Sequence, residues 1–353
     1  MFIARRISEM RPWMVLLVLM SLVLIACNGG TGGTPTVEAT PVVTQETPTD
    51  SPSTPAPMPC EPFVVPLVFD ETAFSPLSTA FDGTVIWVGG RGRDVVLKVA
   101  PGDGEILQVV PLAKLGVGVP ALAFDGESIW ALVDDSVVKV RAADGELVGT
   151  YGFDFDDAGF TPASILFDGE SLWVGGRDRD LAIKMNPDTG EILQVVPLAK
   201  LGAGVPDLAF DGEYIWGLVD DSVVKVRAAD GEFIDTYYFD FDAAGFKPLS
   251  LTFDGEAFWV GGRDRDLALK VRPSDGEILQ VVELAKYGVG VPDLVFDGEY
   301  VRALVAGSVI KVRPSDGVVM ESCWAAEGAF SFVSDGAFVW VADAEKGTLV
   351  RLP

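Results

Sequence analysis

Between residues 76 and 323 the chain repeats short apolar runs separated by polar turns. In the second repeat the runs cover residues 120–124, 128–133 and 137–141, and a fourth begins near Glu146. Short runs bounded by Asp-Gly pairs are typical of β-strands joined by tight hairpins. No stretch of the repeats has helical periodicity. Each repeat is therefore predicted to form four antiparallel strands.

The repeats have a fixed period of 43 residues. Each contains the triplet Phe-Asp-Gly, which begins at Phe81, Phe124, Phe167, Phe210, Phe253 and Phe296. A degenerate seventh copy, Ser334-Asp335-Gly336, follows at a shorter interval. Four strands in a unit of this length are typical of one blade of a β-propeller.

The seventh repeat supplies only three strands before the chain ends. Its missing strand is predicted at residues 63–67, whose sequence Phe-Val-Val-Pro-Leu matches Gln-Val-Val-Pro-Leu at residues 108–112. We therefore predict an all-β fold over residues 60–353. It is a seven-bladed β-propeller of four-stranded antiparallel blades, closed by the N-terminal strand completing the last blade. Closure removes the strand edges that an open array would expose.

A longer period of 86 residues overlies the first. Residues 105–146 and 191–232 differ at only four positions. A two-blade unit has therefore been duplicated within the chain.

The N-terminus predicts export and a lipid anchor. Three arginines among the first twelve residues precede an apolar run over residues 13–26, which is short for a membrane span. The run ends in Leu24-Ile25-Ala26-Cys27, which resembles the lipobox of bacterial lipoproteins. The resemblance implies cleavage before Cys27 and acylation of that residue, with residues 1–27 as the signal peptide. An ordinary signal peptide that contains a cysteine is the alternative. Asn28, by resemblance to lipoprotein sorting, favours the outer membrane if the cell has one.

Residues 28–59 are rich in Pro, Thr, Ser and Gly and include seven prolines. Such a segment cannot bury a core, so we expect a disordered tether. The expected location is extracytoplasmic, with the chain held at the cell membrane through its lipid.

Charge and composition exclude several classes of function. Acidic residues outnumber basic ones 52 to 26, giving a formal net charge of −26, which opposes binding to nucleic acid. The chain has no histidine. Mechanisms that need a histidine base or metal ligand are therefore excluded.

Cys60 and Cys323 flank the predicted closure of the ring. In an exported chain such a pair is a candidate disulfide. Alignment of the two outer strands, however, puts the cysteines at different heights, which opposes a bridge. The sequence leaves the disulfide open.

The repeated pattern Phe-Asp-Gly-x-x-(Ile/Leu/Phe)-Trp-Val-Gly-Gly, followed by Lys-Val-x-Pro-x-Asp-Gly-Glu, resembles bacterial propellers grouped with streptogramin lyase and with YVTN or NHL-type repeats. The resemblance covers the chain after residue 60 and implies the fold. Lyases of that group rely on histidines and a divalent metal, so their activity does not carry over to this chain. Calcium-dependent lactonases on similar propellers use Asn, Asp and Glu, and here Asn occurs only at Asn28 and Asn186.

A tryptophan recurs at one position in six blades. A ring of tryptophans could stack on sugars or bases, but these lie within alternating apolar strands and are predicted to pack between blades. Blade six has Arg302 at this position. The tryptophans are Trp87, Trp130, Trp173, Trp216, Trp259 and Trp340.

The candidate binding face consists of the loops between the second and third strands. On odd blades these loops read Gly-Gly-Arg-x-Arg-Asp, and on blades two and four they carry paired aspartates. They form either a solvated charged face or a recognition surface for a basic or mixed-charge partner, or they hold weak Ca²⁺ or Mg²⁺ sites. No cofactor is firmly implied. The candidate residues are Arg91, Arg93, Asp94, Asp134, Asp135, Arg177, Asp178, Arg179, Asp180, Asp220, Asp221, Arg263, Asp264, Arg265 and Asp266.

Two functions fit these observations. The first is a non-catalytic binding or scaffolding module, presented beyond the membrane to a protein or an envelope polymer. The second is a metal-assisted hydrolase or lactonase that uses only carboxylates in the channel. Three or more buried carboxylates converging in the channel would favour the hydrolase, whereas carboxylates scattered on the rim would favour the binding module.

Overall fold

A computed structural model describes residues 60–69, 72–112, 118–153, 160–198, 204–239, 246–263 and 265–353. Over these residues seven four-stranded antiparallel sheets form a closed ring. The predicted all-β, seven-bladed propeller is therefore confirmed. The predicted signal peptide, the tether and Cys27 lie outside the described residues and stay predictions.

The strands follow one another in sequence order within each of the first six blades. The first strands of the described residues are β1 (Phe63–Pro66) and a short hairpin, β2 (Val68–Phe69) and β3 (Thr72–Ala73). The first three blades consist of β4 (Ser75–Phe81), β5 (Ile86–Arg91), β6 (Val95–Val99) and β7 (Ile106–Pro111); β8 (Leu122–Phe124), β9 (Ser128–Val133), β10 (Ser136–Arg141) and β11 (Leu147–Gly152); and β12 (Pro162–Phe167), β13 (Leu172–Gly176), β14 (Leu181–Met185) and β15 (Ile192–Pro197).

The remaining blades repeat this arrangement, and a single turn of 3-10 helix (Ala285–Tyr287) precedes blade six. Their strands are β16 (Leu208–Phe210), β17 (Tyr214–Val219), β18 (Ser222–Arg227) and β19 (Phe233–Tyr238); β20 (Pro248–Phe253), β21 (Phe258–Gly262), β22 (Leu267–Val271) and β23 (Ile278–Glu283); β24 (Asp293–Phe296), β25 (Val301–Val305), β26 (Ser308–Val312) and β27 (Val319–Trp324); and β28 (Ala329–Ser334), β29 (Val339–Asp343) and β30 (Thr348–Leu352).

The first strand of each blade packs against the first strand of the next blade, and β28 of the last blade packs against β4 of the first. These seven inner strands surround a central channel. The hairpins between second and third strands lie at one end of the ring, together with the connections between blades. We call this end the loop face and the other end the turn face. Within the described residues, no helix has the length and apolar character needed to cross a membrane.

The N-terminal strand closes the ring as predicted. β1 pairs antiparallel with β30, with Val64 opposite Val350, so the last blade contains strands from both ends of the domain. Cys60 and Cys323 form a disulfide with their Cα atoms 5.5 Å apart. The bridge joins the residues just before β1 to the outer strand of blade six. The objection drawn from aligning the two outer strands is therefore wrong, because Cys60 precedes β1 and is not held at the height that the strand alignment gives it.

The blades are held together by a buried contact that recurs around the ring. In six blades the aspartate of the Phe-Asp-Gly triplet, or of its degenerate copy, accepts a hydrogen bond of 2.7–2.8 Å from the tryptophan indole N–H. All six tryptophans are fully buried, which confirms that they pack rather than bind ligands. Trp87, for example, shares its apolar cluster with Ile129 and Ala131 of the next blade.

A lysine on the third strand completes this contact. Lys270 lies over the Trp259 ring, with its Nζ 5.6 Å from the ring centroid and 3.1 Å from Asp254. The same ammonium group donates a hydrogen bond of 2.8 Å to the carbonyl of Pro314 in blade six. One lysine therefore joins the carboxylate and indole of its own blade to the backbone of the next.

Blade six keeps the carboxylate but changes its partner. Arg302 replaces the tryptophan, and its Nε donates to Asp297 at 2.7 Å. Lys311 lies over the ring of Tyr300, at 3.8 Å from the centroid, instead of over an indole. The recurrent aspartate therefore anchors a nitrogen donor in every blade, which explains its regularity better than turn chemistry alone.

We predict that Asp254→Ala lowers the free energy of unfolding by about 3 kcal/mol, because it leaves the buried Lys270 without its counterion and the Trp259 N–H without an acceptor. Urea denaturation at pH 7 measures this loss. The matched control is Asp275→Ala, which removes a carboxylate paired with Arg272 on the exposed turn face. A loss of equal size in the two variants would contradict the structural role of the buried aspartate.

We also predict that the double variant Cys60→Ser/Cys323→Ser unfolds more easily than the oxidised protein, by about 2–5 kcal/mol, because the bridge closes a long loop in the unfolded chain. Urea denaturation without reductant gives the comparison. Wild-type protein treated with dithiothreitol should then match the double variant. Equal midpoints for the variant and the oxidised wild type would show that β1 holds the ring closed without the disulfide.

Candidate functional site

The loop-face end of the channel contains a cavity of about 710 Å³. Its wall consists of the first residues of the inner strands, and its rim carries side chains from the loop face. The polar and charged residues that line it are Ser78, Thr79, Arg91, Ser164, Arg177, Asp207, Arg263, Asp293 and Ser331. The sequence had predicted the three arginines of this group but not the two aspartates.

Arg91, Arg177 and Arg263 are the first residues after the Gly-Gly pairs of blades one, three and five, and all three are exposed. The glycines set their position, because a Cβ at Gly262 would lie 2.7 Å from the ring of Phe246. The second strand can therefore approach the aromatic ring that packs under it, and the following arginine is left at the rim. Among the described residues, none of the three arginines forms an ion pair.

The second arginine and the aspartate of each odd-blade loop have a different role. Asp94, Asp180 and Asp266 each accept a hydrogen bond from the backbone N–H of a glycine in the connection to the next blade, at 3.4, 3.0 and 2.9 Å. Arg93, Arg179 and Arg265 are half-buried, and each has an interaction partner. The three aspartates therefore hold the connections between blades, and it is the first arginine of each loop that lines the cavity.

The aspartates of the even blades lie at hairpin tips. Asp134 and Asp220 have φ values of 52° and 51°, as a two-residue hairpin turn requires. Together with Asp135 and Asp221 they are exposed and do not line the cavity. Asp178 is also exposed and outside the cavity lining, and Asp264 lies outside the described residues.

Asp207 directly precedes β16, the inner strand of blade four, and Asp293 is the first residue of β24, the inner strand of blade six. Asp207 accepts hydrogen bonds from the backbone N–H groups of Leu251, in blade five, and Leu208, at 2.7 and 2.8 Å. Asp293 accepts one of 3.0 Å from the N–H of Phe332 in blade seven. Each carboxyl group therefore joins its own inner strand to that of the next blade, while its residue keeps partial exposure to the cavity.

Burial changes the protonation of both groups. It raises the pKa of Asp207 to about 7, against the opposing effect of the two backbone N–H groups. Burial likewise raises the pKa of Asp293 to about 8, with a further contribution from the negative charge of Asp207. Hydrogen bonds from Phe332, Leu294 and the Ser331 hydroxyl oppose this rise. At neutral pH Asp293 is therefore mostly protonated, whereas Asp207 is about half protonated.

One sequence signal pointed to these aspartates. Ala121 in blade two corresponds to Asp207 in blade four, and this is one of the four differences between the duplicated segments 105–146 and 191–232. Ser78, Ser164 and Ser250 occupy the same position in the odd blades, and their hydroxyls donate to backbone carbonyls of the next blade connection. A comparison restricted to that position would have found Asp207 and Asp293.

The carboxylates do not assemble into a metal centre within the described part of the chain, because no three acidic or cysteine side chains lie close enough to share a cation. The cavity itself has two carboxyl groups. That arrangement falls short of the three buried carboxylates that would favour the hydrolase hypothesis. Comparison of the chain with protein-family models and with curated proteins found no match.

The raised pKa values predict how stability depends on pH. Asp207 and Asp293 titrate at about 7 and about 8 in the folded chain, compared with the ordinary value of 3.8 in the unfolded chain. Between the ordinary and the raised values the folded chain therefore binds more protons than the unfolded chain. Their contribution to the free energy of unfolding is full below the ordinary value and is lost as pH rises through about 7 and 8. The loss is on the order of a few kcal/mol for each of the two groups.

We therefore expect Asp207→Ala, which gives blade four the residue of blade two, to flatten the fall in stability between pH 5 and pH 9 (about two units on either side of neutrality). Urea denaturation at intermediate pH values measures the slope. Asp135→Ala, at an exposed hairpin tip, is the control and should keep the wild-type slope. An unchanged slope in Asp207→Ala would contradict the assignment of this titration.

Proposed function

We propose that the chain is an exported, lipid-anchored binding or scaffolding module that engages its partner through the loop face. The observation that carries this proposal is the rim of the channel. Three arginines from alternate blades reach one cavity, and among the described residues none is neutralised by an ion pair. Cationic side chains that converge on a preformed cavity without an ion-pair partner are available to bind a ligand there.

The blade architecture supports a binding role for this face. The Asp–Trp–Lys contacts and the closing strand lie within and between the blades, so the loops are displayed on a rigid ring. Function in such folds is carried by the loops at one end rather than by the ring itself. The absence of histidine from the chain removes the residues on which the resembling lyases rely.

The N-terminal segment supports an anchored location. Acylation of Cys27 would attach the chain to a membrane, and a Pro-rich tether over residues 28–59 would hold the propeller on the order of 100 Å away, at ~3.1 Å per residue. A binding module on such a tether could reach a protein or polymer of the cell envelope while it remains bound to lipid.

The lipid anchor is tested by Cys27→Ala in the full chain, with labelling by an alkyne fatty acid and phase separation in Triton X-114. We expect the wild type to carry the label and enter the detergent phase, because several acyl chains at one residue give stable membrane binding. The variant should do neither. Label at another residue, or an unlabelled wild type in the aqueous phase, would overturn the assignment of Cys27.

The binding face is tested in cells that express the full chain with a photo-reactive p-benzoylphenylalanine at single exposed positions. Positions 135 and 221 report on the loop face, and positions 127 and 213 are matched controls on the turn face. We expect discrete cross-linked products from the loop-face positions only. Products from the turn face alone, or from no position, would contradict the proposed function.

A further inference from the structure

The three cavity arginines form a local cationic cluster on a strongly acidic chain. The formal net charge is −26, yet the ionisable residues that line the cavity are Arg91, Arg177 and Arg263 with Asp207 and Asp293. Charges on the rest of the surface are screened over about 8 Å at physiological salt. The five lining groups are therefore the ionisable groups in direct reach of a ligand inside the cavity.

The arginines favour a ligand with more than one anionic group. A guanidinium group is planar and always charged, and it pairs with a carboxylate through two parallel hydrogen bonds. The three guanidinium groups come from blades one, three and five, so they approach the cavity from different sides of the ring. A single carboxylate cannot pair with three such groups at once, whereas a ligand with two or three carboxylates can.

The wall below the arginines favours hydroxyl groups over further charge. Thr79 and Ser331 place their hydroxyl oxygens 3.1 Å apart on neighbouring inner strands. The protonated forms of Asp207 and Asp293, which their raised pKa values favour near pH 7, each have one O–H to donate. Phe330, which is 49% exposed, adds an apolar surface suited to the face of a sugar ring.

The volume limits the ligand to a small molecule or the end of a short chain. A cavity of about 710 Å³ lies within the usual range of small-molecule sites, about 300–1,000 Å³.

We infer that this cavity binds a small polycarboxylate, whose carboxylates pair with Arg91, Arg177 and Arg263 and whose hydroxyl groups meet the polar wall of the channel. This inference rests on the proposed binding function and gives it a ligand class. Two sources share this chemistry: a free hydroxy-polycarboxylic acid such as citrate, and an oligosaccharide of uronic acids.

Isothermal titration calorimetry of the full chain in detergent at pH 6.5 tests the inference with three probes, namely citrate, trigalacturonic acid and neutral galactotriose. The inference expects binding of at least one acidic probe and none of galactotriose. Citrate alone would indicate a free acid as the source, and trigalacturonic acid alone would indicate an acidic saccharide. Failure of both acidic probes, or equal binding of the neutral sugar, would overturn the inference.

Arginine variants show whether binding takes place in the cavity. Arg91→Gln, Arg177→Gln and Arg263→Gln should each weaken binding of the acidic probe by about tenfold or more, because each removes a charge-assisted pair. Arg272→Gln is the matched control, since it removes the same charge from an exposed arginine that pairs with Asp275 on the turn face. It should change affinity less than twofold. Equal losses in the control and in the cavity variants would show that only net charge matters, which would overturn the site.

The pH dependence of affinity distinguishes binding in this cavity from general attraction between charges. Affinity should fall between pH 6 and pH 9 (about the range of the two raised pKa values) as Asp207 and Asp293 ionise beside the bound carboxylates. Asp207→Ala should reduce this fall. A constant affinity over this range would contradict the role given to the channel wall.

The outcomes separate this inference from the proposed function. Loop-face cross-linking in cells together with failure of both acidic probes would reject the polycarboxylate ligand and keep the binding module. Loss of loop-face cross-linking while the acidic probes bind would keep the ligand site and reject the loop face as a macromolecular interface. Failure of both experiments would reject both.

Discussion

The buried carboxylate of the Phe-Asp-Gly triplet is the group on which the ring depends. A carboxylate can be buried only where its charge is satisfied, and here it accepts backbone N–H bonds from the turn as well as the side-chain bond from the second strand. For Asp254, burial raises the pKa, but the hydrogen bonds from Trp259, Ala257, Glu256 and Lys270 outweigh this and lower it below its ordinary value. The turn, the indole and the lysine are therefore fixed together.

This contact also joins the blades. The indole packs into the apolar cluster of the next blade, and the lysine reaches a backbone carbonyl across the same boundary. Repetition of one local arrangement thus generates the interfaces of the ring. The last blade is completed in a different way, because β28, β29 and β30 supply only three of its four strands. β1 supplies the fourth strand, and the Cys60–Cys323 bridge holds the residues that precede it.

The candidate site arises where the repetition is broken. Blades one, three and five place an arginine at the rim, whereas blades two and four place a short aspartate hairpin there. In the inner strands, Ser78, Ser164 and Ser250 are buried and hydrogen-bonded to the next blade connection, whereas Asp207 and Asp293 keep partial exposure to the channel. A perfectly repeated ring would present seven equal walls. The differences between blades give this channel its arginine-bearing rim and a wall with two carboxyl groups of raised pKa.

Much of the fold could be predicted from the sequence because its causes are local. Strand length, hairpin position and the spacing of Trp and Asp are all set within one 43-residue repeat. The closing strand was found for the same reason, since residues 63–67 match an outer strand already recognised. In blade two, the predicted run over residues 120–124 is observed as Leu122–Phe124, and Ser128–Val133 agrees with the prediction.

The site was only partly predictable. Arg91, Arg177 and Arg263 were identified as candidates, but the same pattern also selected Asp94, Asp180 and Asp266, which hold the connections between blades. The sequence does not distinguish the roles of these arginines and aspartates, because both lie in the same charged loop. Their roles separate only when the neighbouring blade is in place to accept or supply a hydrogen bond.

The sequence by itself therefore determined the blades, their number and the way the ring closes, since each follows from hydrogen bonding and packing between neighbouring segments of chain. Only the tertiary structure decided that Asp207 and Asp293, 86 residues apart, influence each other's charge, and that Cys60 and Cys323 meet. These relations depend on the curvature of the ring and on the register between blades. Both are set by packing across the whole ring, and no single repeat contains that information.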